Sequence, residues 1–244
     1  KDGKPEAIYG LHVTSRLALG KVAFRAGAMS ASTDNFKIVV TGKGVHGATP
    51  WLGVDPIVAS AQVISALQSI SSRVVDVTSS PAVVTVGAIN GGNRENIIPD
   101  KVEMIGTIRT LSDATQKAAH EALKRIATET AKAAGASAEV SIELGYPVNN
   151  NDPALTDRSA GVLDQAFGRE NALRLPSASM TAEDFAYYGR QTPAFFLSVG
   201  AAPKGVPAAS LFANHSPKFV MDERSEEHTS ELQSHHDLVC RLLL

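Results

Sequence analysis

Along residues 34–146 the apolar positions repeat with the period of a strand in four segments and with the period of a helix in two. Asp55 is a good N-cap and Pro56 a good first residue for the first helix, and Ser112 or Asp113 caps the second. The order β-α-β-β-α-β is the ferredoxin-like pattern, which predicts one antiparallel sheet with both helices on one face. The predicted strands are 35–41, 82–89, 102–110 and 138–144, and the predicted helices are 57–70 and 112 or 113 to about 135.

The segments on either side of this unit resemble the edge of a larger α/β layer that is expected to begin before residue 1. Residues 6–13 predict a short buried strand that ends near a His, and 14–32 predict an irregular connector because they are rich in small residues. The elements predicted after Pro147 are a helix over 153–167, a helix over 181–188 with Thr181 as N-cap and Asp184 as capping-box acid, a buried strand over 193–199 and a turn over 213–217.

The composition narrows the classes of function. Of the 244 residues, 43% are hydrophobic, with 19 Gly and 12 Pro, as in an ordinary α/β protein. No run of about 18 apolar residues occurs, so no membrane-spanning segment is predicted. The net charge of -2 argues against a broad basic surface for nucleic acid or anionic lipid. We therefore expect neither a nucleic-acid partner nor a membrane partner.

Both ends of the chain differ from ordinary protein sequence. The start has no initiator Met and no apolar leader, so we expect the natural N-terminus to be absent, and we expect a cytoplasmic location. Residues 224–244 contain three of the seven His and the only Cys, and their first half resembles a translated sequencing-library adapter. We expect this tail to be non-native, which would leave no Cys for a disulfide. The alternative is a metal site formed by His228, His235, His236 and Cys240.

Four histidines lie outside the tail. His12 ends an apolar strand, at the edge where α/β sheets bind ligands, and His215 lies in the loop Asn-His-Ser-Pro. Taken alone, each is either a hydrogen-bonded structural residue or a metal ligand. His46 lies in the Gly-rich segment GKGVHGA, which suits a side chain that binds an oxyanion, although a surface turn would also fit. His120 lies within the long polar helix and is predicted to face solvent.

Four further polar residues are candidates for a binding site. Asn96 lies in ENIIP after a Gly/Asn turn, and Arg109 ends the strand GTIRT thirteen positions later. An amide and a guanidinium both suit a substrate carboxylate, although each is also an ordinary surface residue. Glu183 and Asp184 are predicted on the first turn of a helix, where the helix dipole is a sufficient structural reason for acids.

Taken together and in order, these motifs resemble one family. GKGVHGATPWLGVDPI, ENIIP with GTIRT, SMTAEDFAYY and NHSPKF resemble the aminoacylase, hippurate hydrolase and auxin-conjugate amidohydrolase family of metallopeptidases, peptidase family M20, over residues 1–223. The resemblance implies a zinc-peptidase-like α/β catalytic domain interrupted by a ferredoxin-like lid that also forms a homodimer. The implied division is 1–33 and 147–223 for the catalytic domain, 34–146 for the lid and 224–244 for the tail.

The resemblance also implies roles for individual residues. His12, in GLHV, would bind one of two divalent metal ions (Zn, Mn or Co), and His215 would bind the other. His46 would reach across the dimer to the partner's active site and stabilise the oxyanion. Asn96 and Arg109 would hold the carboxylate side of the substrate. Glu183 and Asp184 match the family's EDF signature without a firm role.

Two departures from the family pattern bear on activity. Many members have a second His where this chain has Trp51. The family's Cys-x-His ligand motif, general-base Glu and further acidic ligand lie upstream of His12 in its members, and none is in this chain. The parent is therefore expected to hydrolyse an N-acyl amino acid or similar small amide, and this chain alone is expected to be inactive. The alternatives are a non-catalytic dimerisation or binding module and a dipeptide-type exopeptidase.

Overall fold

The computed structural model describes residues 3–207, 210–212 and 214–225. None of the helices in these ranges is long and apolar enough to span a bilayer. The strands are β1 (Ile8–Ala18), β2 (Val22–Phe24), β3 (Gly27–Ser30), β4 (Asp34–Thr41), β5 (Val45–His46), β6 (Ala82–Gly91), β7 (Ile97–Ile98), β8 (Lys101–Thr110), β9 (Ser137–Leu144), β10 (Asn149–Asn151), β11 (Ala172–Arg174) and β12 (Ala194–Ala202). The helices are α1 (Pro56–Leu67), α2 (Asp113–Ala133), α3 (Pro153–Phe167) and α4 (Ala186–Gly189).

Internal contacts divide the chain into two compact units. The central unit consists of residues 30–148 and 180–184, and the flanking unit contains the described residues before 30, from 149 to 179 and after 184. The residues with a predicted catalytic, substrate-binding or metal-binding role thus fall into two groups. His46, Asn96 and Arg109 are in the central unit, and His12 and His215 are in the flanking unit.

The central unit has the predicted β-α-β-β-α-β order, as β4-α1-β6-β8-α2-β9. Its sheet has the order β6-β8-β4-β9, and every neighbouring pair is antiparallel. Alternation along β4 explains which face is covered, because Phe36, Ile38 and Val40 are buried while the residues between them are more exposed. These side chains join residues from both helices in one apolar core, which includes Val63, Leu67, Leu123 and Ala127.

The two helices of this unit begin where local sequence signals place them. One oxygen of Asp55 accepts hydrogen bonds from the backbone N–H groups of Ile57 (2.8 Å) and Val58 (3.2 Å), with Pro56 at the first helical position. Ser112 caps α2 by accepting from the backbone N–H of Thr115 at 3.2 Å. Both predicted caps are confirmed. α1 ends at Leu67, three residues earlier than predicted.

A buried carboxylate joins α2 to the sheet. Asp34 is fully buried, and its Oδ2 accepts from Gln116 Nε2 and from His120 Nε2, each at 2.8 Å. Its Oδ1 accepts from the backbone N–H of Gly145 at 3.2 Å. The prediction that His120 faces solvent is therefore wrong, since only 17% of its side chain is exposed. The helical period marks α2 as polar, but it does not indicate that a buried acid lies under one of its polar residues.

Replacing Asp34 by Ala should lower the free energy of unfolding of the central unit by roughly 2–4 kcal/mol, because buried donors lose a charged acceptor. Urea denaturation followed by circular dichroism measures this loss. Asp55→Ala is the matched control: it removes a helix cap and should cost only about 1 kcal/mol. Equal losses for the two variants would contradict a special role for the buried carboxylate.

The flanking unit contains a mixed sheet of order β1-β12-β2-β11. β1 runs parallel to β12, β12 is antiparallel to β2, and β2 is parallel to β11. α3 matches the helix predicted over 153–167, and β12 contains most of the strand predicted over 193–199. The core of the unit is formed by Val22, Phe24, Leu155, Ala172, Phe195 and Val199.

Two predictions for the segments outside residues 34–146 are wrong. Residues 14–32 are not an irregular connector, since β1 continues to Ala18 and β2 and β3 follow. β1 is paired with β12, a distant strand, and the small residues of this segment give no local indication of that pairing. The helix predicted over 181–188 is only Ala186–Gly189, and Thr181 is not its N-cap. The Thr181 carbonyl instead accepts from the backbone N–H of Ala31 at 2.9 Å. Glu183 and Asp184 therefore precede the helix.

Candidate functional site

His12 lies on β1 opposite Ser198 of β12, and its side chain is exposed. Its Nδ1 is 2.7 Å from the backbone carbonyl oxygen of Val13. A carbonyl can only accept, so Nδ1 carries the proton and Nε2 of the neutral ring keeps its lone pair. Metal-binding histidines commonly donate their second ring N–H to a backbone carbonyl in this way. His12 is therefore in the tautomer that suits a metal ligand through Nε2.

The loop that contains His215 is held against β1. Asn214 Nδ2 donates to the carbonyl of Val13 at 2.7 Å and lies 3.5 Å from His12 Nδ1. Two residues further along β1, Ser15 Oγ donates to the carbonyl of Phe212 at 2.7 Å. The fold of the flanking unit thus brings His12 next to the residue that precedes His215.

His215 has an unusual backbone conformation. Its φ is +70°, and among the described residues no other non-glycine residue has a positive φ. An L-residue in the left-handed region costs of order 1–3 kcal/mol and persists where surrounding contacts enforce it. Here the bonds of Asn214 to β1 provide such contacts on one side. The strain, the exposed imidazole and the neighbouring His12 together make this loop the candidate metal-binding segment of the flanking unit.

The two imidazoles fit a divalent metal in chemical type and fall short in number. Zn²⁺ in proteins takes four ligands in structural sites and at least three protein ligands in catalytic sites. Within the part of the chain that the structure describes, no group of three or more His, Cys, Asp and Glu side chains could hold a metal ion. His12 and His215 would therefore need further ligands. The alternative metal site at His228, His235, His236 and Cys240 lies outside the described residues.

His46 lies at the end of β5, and its ring is fixed by its own loop. The backbone N–H of Ala48 donates to His46 Nδ1 at 3.1 Å. Because Nδ1 is the acceptor, the neutral ring carries its proton on Nε2. His46 is thus prepared to donate a hydrogen bond through Nε2–H, which is the opposite arrangement from that of His12. A donor of this kind suits a developing oxyanion.

The loop between Lys43 and Val54 is closed at its base. Lys43 and Val54 exchange two backbone hydrogen bonds, of 2.9 and 3.0 Å. The two strands approach so closely that a Cβ on Gly53 would lie 2.4 Å from the Lys43 carbonyl oxygen, so only glycine fits there. One Asp100 carboxylate oxygen also accepts from the backbone N–H of Gly44 at 2.9 Å. Asp100 is not among the site residues predicted from the sequence, and its place directly after the Pro of ENIIP is the signal that could have indicated it.

Asn96 lies beside His46. β5 pairs with β7, with His46 opposite Ile97, and the backbone N–H of Gly47 donates to the carbonyl of Asn96 at 2.8 Å. His46 and Ile97 also border an open cavity of about 700 Å³, whose other lining residues include Gly44, Val45, Asn93 and Asp100. The structure therefore brings two of the predicted site residues, His46 and Asn96, to one end of the central unit.

Arg109 lies at the opposite end of that unit. The ladder of β4 and β8 continues into β5 and β7, so Asn96 lies beyond the Lys101 end of β8, whereas Arg109 is near its other end. At ~3.3 Å per residue, Arg109 is roughly 25 Å from the Lys101 end of β8. Arg109 Nη1 donates to the carbonyl of Met180 at 3.2 Å, which holds the segment that leads to Glu183 and Asp184.

Comparisons with known proteins agree with the motifs. A family model described as "Peptidase dimerisation domain" matches residues 32–135. Thermostable carboxypeptidase 2 of Saccharolobus solfataricus is 35% identical over 219 residues, which are 88% of this chain and 53% of that protein. IAA-amino acid hydrolase ILR1-like 4 of Arabidopsis thaliana is 35% identical over 242 residues, or 98% and 54%.

A solved structure gives the same result. The YXEP protein of Bacillus subtilis, described as a dinuclear metal binding peptidase from M20 family, has a TM-score of 0.70 and 30% identity, covering 92% of this chain and 54% of that one. The chain spans about half the length of the curated relatives it matches.

Proposed function

The chain belongs to the M20 family of metal-dependent peptidases and amidohydrolases, and from this premise we propose that the whole protein hydrolyses N-acyl amino acids or similar small amides. By the whole protein we mean this chain together with the additional length that its relatives have. The observation that carries the proposal is the backbone partner of Nδ1 in each of the two histidines, from which the tautomers follow. His12 keeps a lone pair on Nε2 for a metal, and His46 keeps a proton on Nε2 for an oxyanion.

We assign residues 1–33 and 147–223, which contain most of the flanking unit, to the catalytic domain. His12 and His215 would each bind one of two divalent ions, Zn, Mn or Co, with other ligands from the rest of the protein. When bound, such ions polarise a carbonyl and lower the pKa of water. The strained loop at His215 and the Val13 carbonyl that orients His12 would fix the two imidazoles before any ion arrives.

We assign residues 34–146 to a ferredoxin-like lid whose His46 acts in the active site of a partner copy. There Nε2–H would donate to the substrate carbonyl oxygen as negative charge develops on it. Asn96 lies beside His46 and would act in the same site. Arg109 is at the far end of β8, so one lid cannot bring Asn96 and Arg109 to a single carboxylate. We therefore assign Asn96 and Arg109 of one lid to different active sites of the dimer.

The surface that would form the homodimer is the outer face of α1 with the edge strand β6. α1 contains no charged residue, although Ile57 and Val58 are 44% and 54% exposed. α2, in the same layer, has charged residues on its exposed positions, as helices facing water usually do. The β6 edge is likewise uncharged, whereas the opposite edge, β9, has Glu139 and Glu143. Depletion of charge is typical of the centre of an interface.

Changing Ala61 to Glu on the exposed face of α1 should weaken the dimer by roughly 10²-fold or more. A two-fold interface buries the new charge twice, and an unpaired buried charge costs several kcal/mol. Sedimentation velocity across a dilution series measures the dissociation constant. Ala114→Glu, the same change at an exposed position of α2, should leave it unaltered. A dimer that survives Ala61→Glu would place the interface elsewhere.

The function itself is tested by assaying the whole protein for release of amino acid from N-acetyl and N-benzoyl amino acids, in the presence of Zn, Mn or Co. Hydrolysis is expected, and the chain of residues 1–244 alone should show little or none because it supplies two of the proposed ligands. Dipeptides belong in the same assay, since one relative is named a carboxypeptidase. Turnover of dipeptides alone would favour an exopeptidase, and no turnover at all would favour a binding module.

A further inference from the structure

An exposed tryptophan lies on the loop that contains His46. Trp51 is 75% exposed and its neighbour Leu52 is 57% exposed, which is unusual for large apolar side chains on adjacent residues. They form a single turn of 3-10 helix, Pro50–Leu52, between the turn after His46 and the closed base at Val54. An indole held in water by a closed loop is a typical contact surface for a ligand or a partner.

The position of Trp51 relative to His46 is fixed by backbone hydrogen bonds. The N–H of Thr49 donates to the carbonyl of His46 at 2.9 Å, and the N–H of Leu52 donates to that of Thr49 at 3.1 Å. Two successive turns therefore connect the imidazole and the indole, and the Lys43–Val54 pair closes the loop behind them. The backbone positions of His46 and Trp51, five residues apart on one closed loop, are thereby set relative to each other.

Trp51 and Asn96 lie on opposite sides of the strand that leads to His46. Gly42 and Gly44 donate to Asp100, on the side where β7 and Asn96 lie. Lys43, between them, exchanges its bonds with Val54, because successive residues of a strand direct their backbone groups to opposite sides. The segment with Trp51 therefore flanks the strand on one side, and Asn96 flanks it on the other.

We infer that Trp51 forms a wall of the acyl subsite and selects acyl groups with an aromatic or other large flat apolar surface. The inference rests on the proposed function, in which His46 donates to the carbonyl under attack and Asn96 holds the amino-acid side. With the carbonyl at His46 and the amino acid toward Asn96, the acyl group extends toward the indole. Stacking on the ring and displacement of water from Trp51 and Leu52 then favour a benzoyl group over an acetyl group.

The test compares Trp51→Ala with the parent in the whole protein. The ratio of kcat/KM for an N-benzoyl amino acid to that for the matching N-acetyl amino acid should fall by roughly 10–100-fold, the effect of removing one aromatic contact. Trp51→Phe is the matched variant, since it keeps a flat apolar ring, and it should keep most of the preference. A ratio that is unchanged in Trp51→Ala would overturn the inference.

A second measurement separates a subsite from an interface between copies. Trp51→Ala should leave the dimer dissociation constant, measured by sedimentation velocity across a dilution series, within a few-fold of that of the parent. A dimer that dissociates in Trp51→Ala as it does in Ala61→Glu would place the main role of Trp51 in the interface and overturn the inference. If the whole protein cleaves neither substrate, the proposed function itself has failed, and if it cleaves both with an unchanged ratio, only the inference has failed.

Discussion

Replacing His46 by Ala is expected to lower kcat of the whole protein by roughly 10²–10³-fold, which is the cost of removing one donor to an oxyanion. The reason is geometric. The backbone N–H of Ala48 occupies Nδ1, so the ring has one remaining polar atom, Nε2–H, and that atom is a donor. KM should change little, because the contact strengthens only as charge develops on the substrate oxygen. Steady-state kinetics on an N-acyl amino acid, with metal content measured in parallel, gives both quantities.

His46→Gln is the informative companion variant. The amide of Gln provides an N–H donor without the ring, so it should recover part of the lost kcat. Metal content should be the same in the parent and in both variants, since His46 is in the central unit and the proposed ligands are in the flanking unit. A kcat for His46→Ala equal to that of the parent would remove the oxyanion role. Loss of bound metal in that variant would make His46 a ligand instead.

The parts of the fold that could be predicted from the sequence are those whose causes are local. Asp55 followed by Pro56, and Ser112 three residues before Thr115, begin helices through bonds within one turn of chain. The alternation along β4 likewise indicates its buried face without knowledge of its partners. The order β-α-β-β-α-β followed from such signals alone.

The predictions that were wrong concern segments whose structure depends on residues far away in the sequence. Residues 14–32 form strands because β12 and other segments offer hydrogen bonds to a chain of small residues that has little strand propensity of its own. Thr181 has the sequence of an N-cap, but its carbonyl accepts a hydrogen bond from the backbone N–H of Ala31, about 150 positions away, and the helix begins only at Ala186. His120 appears polar on a helical wheel, and only the fold places Asp34 beneath it.

The candidate site, like the fold, could be predicted from the sequence only in part. The residue types and motifs indicate which histidines to examine, but tautomers depend on the backbone that surrounds each ring. The Val13 carbonyl and the Ala48 N–H, which give His12 and His46 opposite tautomers, are properties of local conformation that no residue identity specifies. The separation of Asn96 from Arg109 could be estimated from the sequence, because the part of β8 from Lys101 to Arg109, roughly 25 Å of strand, lies between them.

The proposed action of His46 in the partner's active site makes a strong prediction about mixed dimers of the whole protein. If His46 acts in the partner's site and His12 in its own, a heterodimer of one His46→Ala chain and one His12→Ala chain contains one intact site and one doubly damaged site. Co-expression with two different affinity tags allows the heterodimer to be isolated. Its activity per dimer should be about half that of the parent, although each homodimer is nearly inactive. If His46 instead acts within its own chain, neither site is intact and nothing is recovered.

Heterodimers can also show to which active site of the dimer Asn96 and Arg109 belong. Because Asn96 lies beside His46, a heterodimer of Asn96→Ala with His46→Ala should stay inactive, since each lid lacks one of the two groups that one site needs. A heterodimer of Asn96→Ala with Arg109→Ala should recover about half of the parent activity, because roughly 25 Å of β8 assigns the two residues to different sites. Failure of this second pair to recover, with recovery of the His46 and His12 pair, would mean that Arg109 acts with Asn96 after all. The lid would then have to bend β8 far from the strand geometry it has here.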